Sequence, residues 1–316
     1  MPLNLAHLAV LHAVAIKGNV SRAAEKLLVS QPAVSKQLRE LERSVGVPLF
    51  DRLPRGVRPT QAGAILADYA KRIFALSDEA ELRLAELRGL ERGELRVGAS
   101  TTIAVYVLPP VFAAFRQAYP GVKLAVEIDN ATGVEERLAA GTIDVALSEG
   151  EHDPAEFDLR PFMTDELIAI AAPSHPLAGK KSVKAADFCR EPFVVREAGS
   201  GTRAVVEHAL QRHGLRIEPV MAVGSTIVIK RAVASGVGVA FVSRLACELE
   251  LQTGTLVEVK LSDLKISRPL HRLRVAGRYE GRAVAEFDRL LADSVRASSR
   301  KRKPVGKVWD HTAASL

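Results

Sequence analysis

The apolar residues of this chain keep a helical rhythm for its first ninety positions and then break into short runs. From Leu3 to Lys17, the residues Leu5, Leu8, Leu11 and Ala15 recur at spacings of three and four, which predicts a helix with one buried face. Gly18-Asn19 ends it. Ser21 is placed to cap a second helix through Leu28, with Ala23, Ala24 and Leu27 inward. Val29 to Gln31 form a turn. Ser30 caps a third helix, Gln31 to Val45, and Pro32 sits in its first turn, where a missing N–H is no loss. On that helix Val34, Leu38, Leu41 and Val45 fall within about 60° of one another. Pro32, Lys36, Arg39 and Arg43 lie opposite, with Gln31 and Ser35 on the shoulder. Leu49 to Thr60 predicts two short strands flanking Pro54-Arg55-Gly56. Thr60 then caps a helix to about Leu90, where Ile65, Tyr69, Ile73, Leu76, Ala80, Leu84 and Leu87 recur at fours and threes.

From Glu94 short strands alternate with helices. Glu94–Ser100, Val122–Ile128, Ile143–Leu147, Glu166–Ala172, Pro192–Val195, Pro219–Val223 and Val237–Val242 read as strands. Thr101–Tyr119 (broken near Pro109-Pro110), Gly133–Ala140, Thr202–His213 and Thr226–Ser235 read as helices. Such alternation predicts α/β sheets with mostly parallel strands, and ligands on such sheets bind beyond the strands' carboxyl ends.

Charge sharpens the reading of the first segment. Residues 1–60 hold nine Lys/Arg against four Asp/Glu, so most of the formal net charge of +7 lies in the first fifth of the chain. A second basic run, RKRK, spans Arg300–Lys303. Two helices joined by a capped turn, the second with a basic outer face, make a helix-turn-helix, which places one helix in the major groove of double-stranded DNA. Ser30, Gln31, Pro32, Ser35, Lys36 and Arg39 would stand at that groove, since Gln pairs with adenine and Lys or Arg with guanine or phosphate. Arg52, Arg55 and Arg58 on the following hairpin would reach the backbone or minor groove. An ordinary solvated face would also carry Lys and Arg; the capped turn and the two preceding helices favour DNA. The long helix has an apolar stripe about 45 Å in length, which predicts pairing with a second copy of itself.

The motif residues Ala23-Ala24, Leu27, Ser30-Gln31-Pro32-Ala33, Ser35, Leu38 and Leu41-Glu42 resemble the signature of the LysR-type transcriptional regulators. Leu49–Arg52, Pro59-Thr60 and Gly63 match the family pattern on the C-terminal side of that signature. The resemblance implies an α/β fold with an N-terminal winged helix-turn-helix (1–60), a linker and dimerisation helix (61–90), and a two-lobed effector domain like a periplasmic binding protein. Lobe 1 would be 91–164, completed by 267–297, and lobe 2 would be 165–266. Residues 298–316, rich in Ser, Lys and Arg, are expected to be a disordered tail. The implied partners are DNA, a small effector, a homodimer mate within a dimer of dimers, and RNA polymerase.

Three strand ends carry small hydroxyl residues just before a helix: Ser100-Thr101-Thr102, Ser200-Gly201-Thr202 and Ser225-Thr226. Asn130-Ala131-Thr132 is a fourth such turn. Free N–H groups and the positive dipole end of a helix suit an anion, although each residue could simply be an N-cap. The resemblance puts Ser100, Thr101 and Thr102 on one lobe and Thr202 on the other, with Asn130 and Thr132 at the rim of an effector cleft. Ser225-Thr226 is followed by Ile227-Val228-Ile229, an apolar departure from the commoner family pattern. The Gly199–Arg203 loop looks like family members that govern carbon fixation or inorganic anion assimilation.

No catalytic constellation and no metal or cofactor motif emerges. His208 and His213 lack a ligand framework, and Gly236-Val237-Gly238 lacks dinucleotide spacing. Cys189 and Cys247 fit inert thiols of a reduced, cytoplasmic protein. No run reaches the roughly 18 apolar residues of a membrane span. Two rival readings remain: an α/β enzyme with a DNA tether, and an architectural DNA-binding protein.

Overall fold

The computed structural model describes residues 3–86, 93–150 and 152–301. It divides into two compact units, Met1–Leu87 and Arg88–Leu316.

The first unit starts with helices α1 (Leu5–Lys17), α2 (Val20–Leu27) and α3 (Gln31–Val45). A two-stranded antiparallel hairpin follows, β1 (Phe50–Arg52) with β2 (Val57–Pro59), and then the long helix α4 (Gln61–Glu86). Asn19, rather than the expected Ser21, caps α2, because its side chain accepts from both Ser21 N and Arg22 N. Leu28 lies beyond the helix in the left-handed region, at φ 56°. The core gathers Leu8, Leu11 and Val14 of α1, Ala23 and Ala24 of α2, and Val34, Leu38 and Leu41 of α3. The helix α4 closes this core with Leu66, Ala67, Ala70, Ile73 and Phe74. Ile73, placed by its spacing on the outward stripe, therefore packs inward. Ile65, Tyr69, Leu76 and Leu84 remain exposed. Leu87 and the rest of the expected helix to Leu90 lie outside the described residues.

The second unit runs β3 (Gly93–Ser100), α5 (Thr101–Tyr106), α6 (Pro109–Ala118), β4 (Val122–Asp129), α7 (Ala131–Ala139), β5 (Val145–Glu149) and β6 (Phe157–Ala171). It continues α8 (Ala185–Phe188), β7 (Phe193–Arg196), α9 (Gly201–Arg212), β8 (Pro219–Val223), α10 (Thr226–Ala234), β9 (Ala240–Ser243) and α11 (Arg244–Gln252). It ends with β10 (Val257–Glu258), β11 (Ile266–Val275) and α12 (Arg282–Lys301). One sheet has the order β10-β6-β11-β5-β3-β4, with β9 also on β6, and β7 pairs β8 separately.

The expectation of mostly parallel strands needs correction. β3 is parallel to β4 and β5, and β7 to β8, but every pairing of β6 and β11 is antiparallel. These two long strands carry the chain between lobes. At one end β11 pairs with β5 of lobe 1, and at the other β6 pairs with β9 and β10 of lobe 2. The expected strand Glu166–Ala172 covers only the second half of β6, and β11 was not expected, for a physical reason. Along β11 the buried alternation is Ile266, Arg268, Leu270, so a buried arginine interrupts the apolar period. Lobe 1 packs around Val97, Ile103, Phe115, Leu147 and Phe287, and lobe 2 around Phe188, Phe193, Val206 and Phe241. The terminal helix α12 continues to Lys301, four residues into the segment expected to be a tail. Residues 302–316 lie outside the described residues.

Candidate functional site

In the first unit the signature residues divide between architecture and exposed chemistry. Ser30 Oγ accepts from Ala33 N at 3.4 Å and caps α3. Glu42 accepts from Leu49 N at 2.8 Å, fixing the entry to the hairpin. Thr60 accepts from Gly63 N at 3.1 Å and donates to Pro48 O at 2.8 Å. A β-carbon on Gly63 would strike the Leu49 carbonyl, which explains a glycine at that point of the motif.

The residues free to meet a partner are the basic and polar ones. Gln31, Pro32, Lys36, Arg39 and Arg43 are exposed opposite buried Val34, Leu38 and Leu41, and Ser35 is half-buried. Lys36 lies 3.9 Å from Glu40, and Arg39 Nε donates to Ser35 O at 3.2 Å. Arg52, Arg55 and Arg58 are exposed on the hairpin, with Arg58 3.7 Å from Asp51. Exposed ion pairs of this kind contribute little and yield readily to a phosphate. The arrangement presents a helix face and a hairpin able to neutralise a polyanion.

In the second unit three of the four expected hydroxyl-rich turns meet between the lobes, and Ser225-Thr226 is the one that does not. Ser100 (end of β3) and Thr202 (first turn of α9) are both nearly fully buried. Both hydroxyls donate to one carboxylate, Glu149, which ends β5. Ser100 Oγ donates to Oε2, and Thr202 Oγ1 donates to Oε1 at 3.5 Å. Arg268 reaches the same Oε1 at 3.1 Å and donates to Thr202 Oγ1 at 2.8 Å. On its other side Arg268 meets Asp165 at 2.9 Å, and Asp165 also accepts from Ser243 Oγ at 2.8 Å. Burial raises the Asp165 carboxyl above its ordinary range, with the Arg268 charge opposing.

The start of α9 lies so close to β5 that a β-carbon on Gly201 would meet the Glu149 carbonyl oxygen. At the rim, Asn130 Nδ2 donates to Ala198 O and Thr132 Oγ1 to Gly199 O, each at 3.4 Å. The two lobes are thus already in contact there. Beside these groups lies a cavity of about 330 Å³, lined by Thr132, Glu135, Glu149, Ser200 and Arg203 among others.

The remaining expected residues have mixed roles. Asn130 and Ser200 act as N-caps, accepting from Gly133 N and Arg203 N. Ser225 makes no side-chain cap bond. Thr226 is buried and accepts from Arg196 Nη1 at 3.3 Å. Arg196 in turn pairs with Glu197 at 2.7 Å. Burial disfavours the charge of Glu197, yet hydrogen bonds from Arg196 and Asn130 hold its carboxyl below the usual range. Thr102 is buried in the first turn of α5, and Thr101 is half-buried.

Sequence reasoning missed Glu149, Asp165, Arg196, Ser243 and Arg268. Glu149, Arg196 and Ser243 left a signal, as polar residues at or just beyond the carboxyl ends of expected strands, and Asp165 and Arg268 left none. Burial pushes the Cys189 thiol up to about 11 and the Cys247 thiol up to about 12, so neither is an active nucleophile at neutral pH. Among the described residues no group of three or more His, Cys, Asp or Glu is arranged to hold a metal, and no helix is long and apolar enough to cross a membrane.

Comparison with known proteins adds the family context. The family model "Bacterial regulatory helix-turn-helix protein, lysR family" matches residues 5–64, and "LysR substrate binding domain" matches residues 88–296. The chain is 35% identical over 294 residues to the "Probable RuBisCO transcriptional regulator" of Cyanidioschyzon merolae, covering 91% of this chain and 97% of that protein. It is 35% identical over 258 residues to the "HTH-type transcriptional regulator CysL" of Bacillus subtilis, covering 82% of this chain and 86% of that one. The regulatory domain of Synechocystis PCC6803 CcmR, solved in complex with 2-PG, superposes with a TM-score of 0.61 at 27% identity. That match covers 65% of this chain and 98% of the CcmR domain.

Proposed function

The chain belongs to the LysR family of transcription regulators, and from that premise we propose that it reads DNA as a dimer and senses a small anionic effector between its two α/β lobes. Gln31, Ser35, Lys36 and Arg39 contact base edges and phosphates in the major groove, with Ser30 and Pro32 setting the start of the helix. Arg52, Arg55 and Arg58 neutralise backbone phosphates. The mate is a second copy, because Ile65, Tyr69, Leu76 and Leu84 leave an apolar stripe of α4 without cover in its own unit. Two such dimers assemble on an operator. The protein works in the cytoplasm, where that DNA is.

The observation that carries the effector site is the convergence of Ser100 and Thr202, from opposite lobes, on one carboxylate. Hydroxyls and a guanidinium that hold a carboxylate are the groups that bind an external carboxylate or phosphate. Thr101, Thr102, Asn130, Thr132, Ser200, Ser225 and Thr226 line or shape the same cleft. An anion bound there fixes the closure of one lobe on the other and thereby changes how the dimer holds its operator. The RuBisCO regulators among the relatives favour carbon fixation as the regulated process, while inorganic anion assimilation rests on the likeness of the Gly199–Arg203 loop.

Calorimetric titration of the full chain with 2-PG, phosphate and sulfate tests this. Thr202→Val should weaken the anion that binds wild type about ten- to hundredfold, the worth of one hydrogen bond to a charged ligand. Equal anion affinity in both proteins removes Thr202 from the site, and an inducer without charge overturns the anionic reading.

A further inference from the structure

We infer that Glu149 is a tethered occupant of the effector cleft: its carboxylate sits where an external anion would bind and must be displaced before one can. This rests on the cleft being the effector site.

Three groups converge on that side chain. Ser100 brings a hydroxyl from lobe 1, Thr202 brings one from lobe 2, and Arg268 brings a guanidinium from the strand that joins the lobes. These are the donors that an anionic effector would use, and all are already engaged. The Glu149 side chain is only 3% exposed. The start of α9 is pressed against Glu149, which places the positive end of a twelve-residue helix beside the carboxylate.

The charge count points the same way. Within this buried group two acids, Glu149 and Asp165, face one guanidinium, Arg268. An anion arriving beside Glu149 would meet repulsion from a like charge in a poorly screened setting. If Glu149 swings aside, the same anion inherits two hydroxyls and the guanidinium. The neighbouring cavity of about 330 Å³, which Glu149 itself lines, gives the side chain somewhere to go. Glu149 therefore sets a threshold: the cleft admits only anions whose contacts outweigh those of the resident carboxylate. It also cross-links the lobes in the effector-free state, because it accepts from both.

The test uses the full chain as wild type and as Glu149→Gln, a neutral side chain of the same shape. Calorimetric titration and thermal shift are measured with inorganic phosphate, sulfate and 2-PG. Glu149→Gln should bind the responsive anion about ten- to hundredfold more tightly than wild type. Structural damage does not produce such a gain. If wild type binds an anion and Glu149→Gln binds it equally or more weakly, the inference is overturned while the anionic effector reading stands. Binding by Glu149→Gln alone supports the inference and removes the anionic effector from the native chain. Silence from both proteins overturns both. Should Glu149→Gln fail to fold, Glu149→Asp keeps the charge but withdraws the carboxylate from the two hydroxyls. It should shift affinity the same way by a smaller factor, and no shift or a loss overturns the inference.

Discussion

Arginine is used in opposite ways in the two units of this molecule. In the first, Arg39, Arg52, Arg55 and Arg58 stand in solvent and hold at most loose local partners. In the second, Arg196, Arg268 and Arg272 are almost fully buried, each against one or two carboxylates. For Arg268 the difference fits the ligand proposed for each unit, whereas Arg272 pairs with Glu280 and Asp288 outside the cleft. A duplex is a long polyanion, and meeting it releases counterions without any need to bury the protein's charges beforehand. A small ligand offers few contacts, so its site must be assembled in advance and shielded from water. A charge on the DNA face is therefore nearly independent of its neighbours, while a charge in the cleft is part of a set that stands or falls together.

The largest effect should come from removing one member of that set. Arg268→Ala leaves Glu149 and Asp165 buried without their guanidinium, a change that typically costs about 3–5 kcal/mol. Calorimetric unfolding of the full chain should show the effector unit strongly destabilised. Arg55→Ala, on the exposed hairpin, should stay within about 0.5 kcal/mol of wild type. If the two substitutions move the unfolding transition equally, the contrast between the units is lost.

Next in size is the outer stripe of α4, which tests whether an apolar surface of the first unit is really a buried one. Leu76→Glu with Leu84→Glu puts charge on two exposed positions that would be covered in a dimer. Each covered leucine contributes about 1.5–3 kcal/mol, so sedimentation should show smaller assemblies at micromolar concentration while the fold survives. Ile73 is a poor choice for this purpose, because it packs into its own unit. An unchanged assembly state would mean that the stripe is not the contact between copies.

Arg39→Ala comes third and sharpens the contrast from the DNA side. It should lower operator affinity by about 1–3 kcal/mol if Arg39 reads a base, or weaken all sequences alike if it holds a phosphate. The melting temperature should not move. Unchanged operator binding at matched salt eliminates both roles.

The same division decides what could be read from the sequence. The three helices, the Ser30 cap and the outward placement of Lys36 and Arg39 were legible because each depends on residues within a few positions of one another. Ser100 and Thr202 were legible as hydroxyls at strand ends, but not the group that joins them. Glu149 meets Arg268 across more than a hundred positions, and Arg268 occupies an apolar slot in the buried alternation of β11. The first half of β6 has no steady alternation of buried and exposed residues, and it is held as a strand by pairing with β11. Where local rhythm and tertiary environment disagree, only the fold tells which side chain is buried.

The smallest effect lies in the helix-turn-helix itself, at Leu28. This residue is 93% exposed and sits at φ 56°, a region that disfavours most side chains with a β-carbon. Its backbone N–H caps α2 by donating to Ala24 and Glu25 carbonyls, so the conformation is needed even though the side chain packs on nothing. Asparagine tolerates the left-handed region better than leucine does. Leu28→Asn should therefore stabilise the first unit by up to about 1 kcal/mol, read as a small rise in its unfolding midpoint. Operator affinity should hold, since the proposed donors to DNA lie on α3 and the hairpin. A fall in affinity with intact stability would instead show that an apolar side chain in the turn touches the duplex. The DNA face would then be more than a set of independent charges.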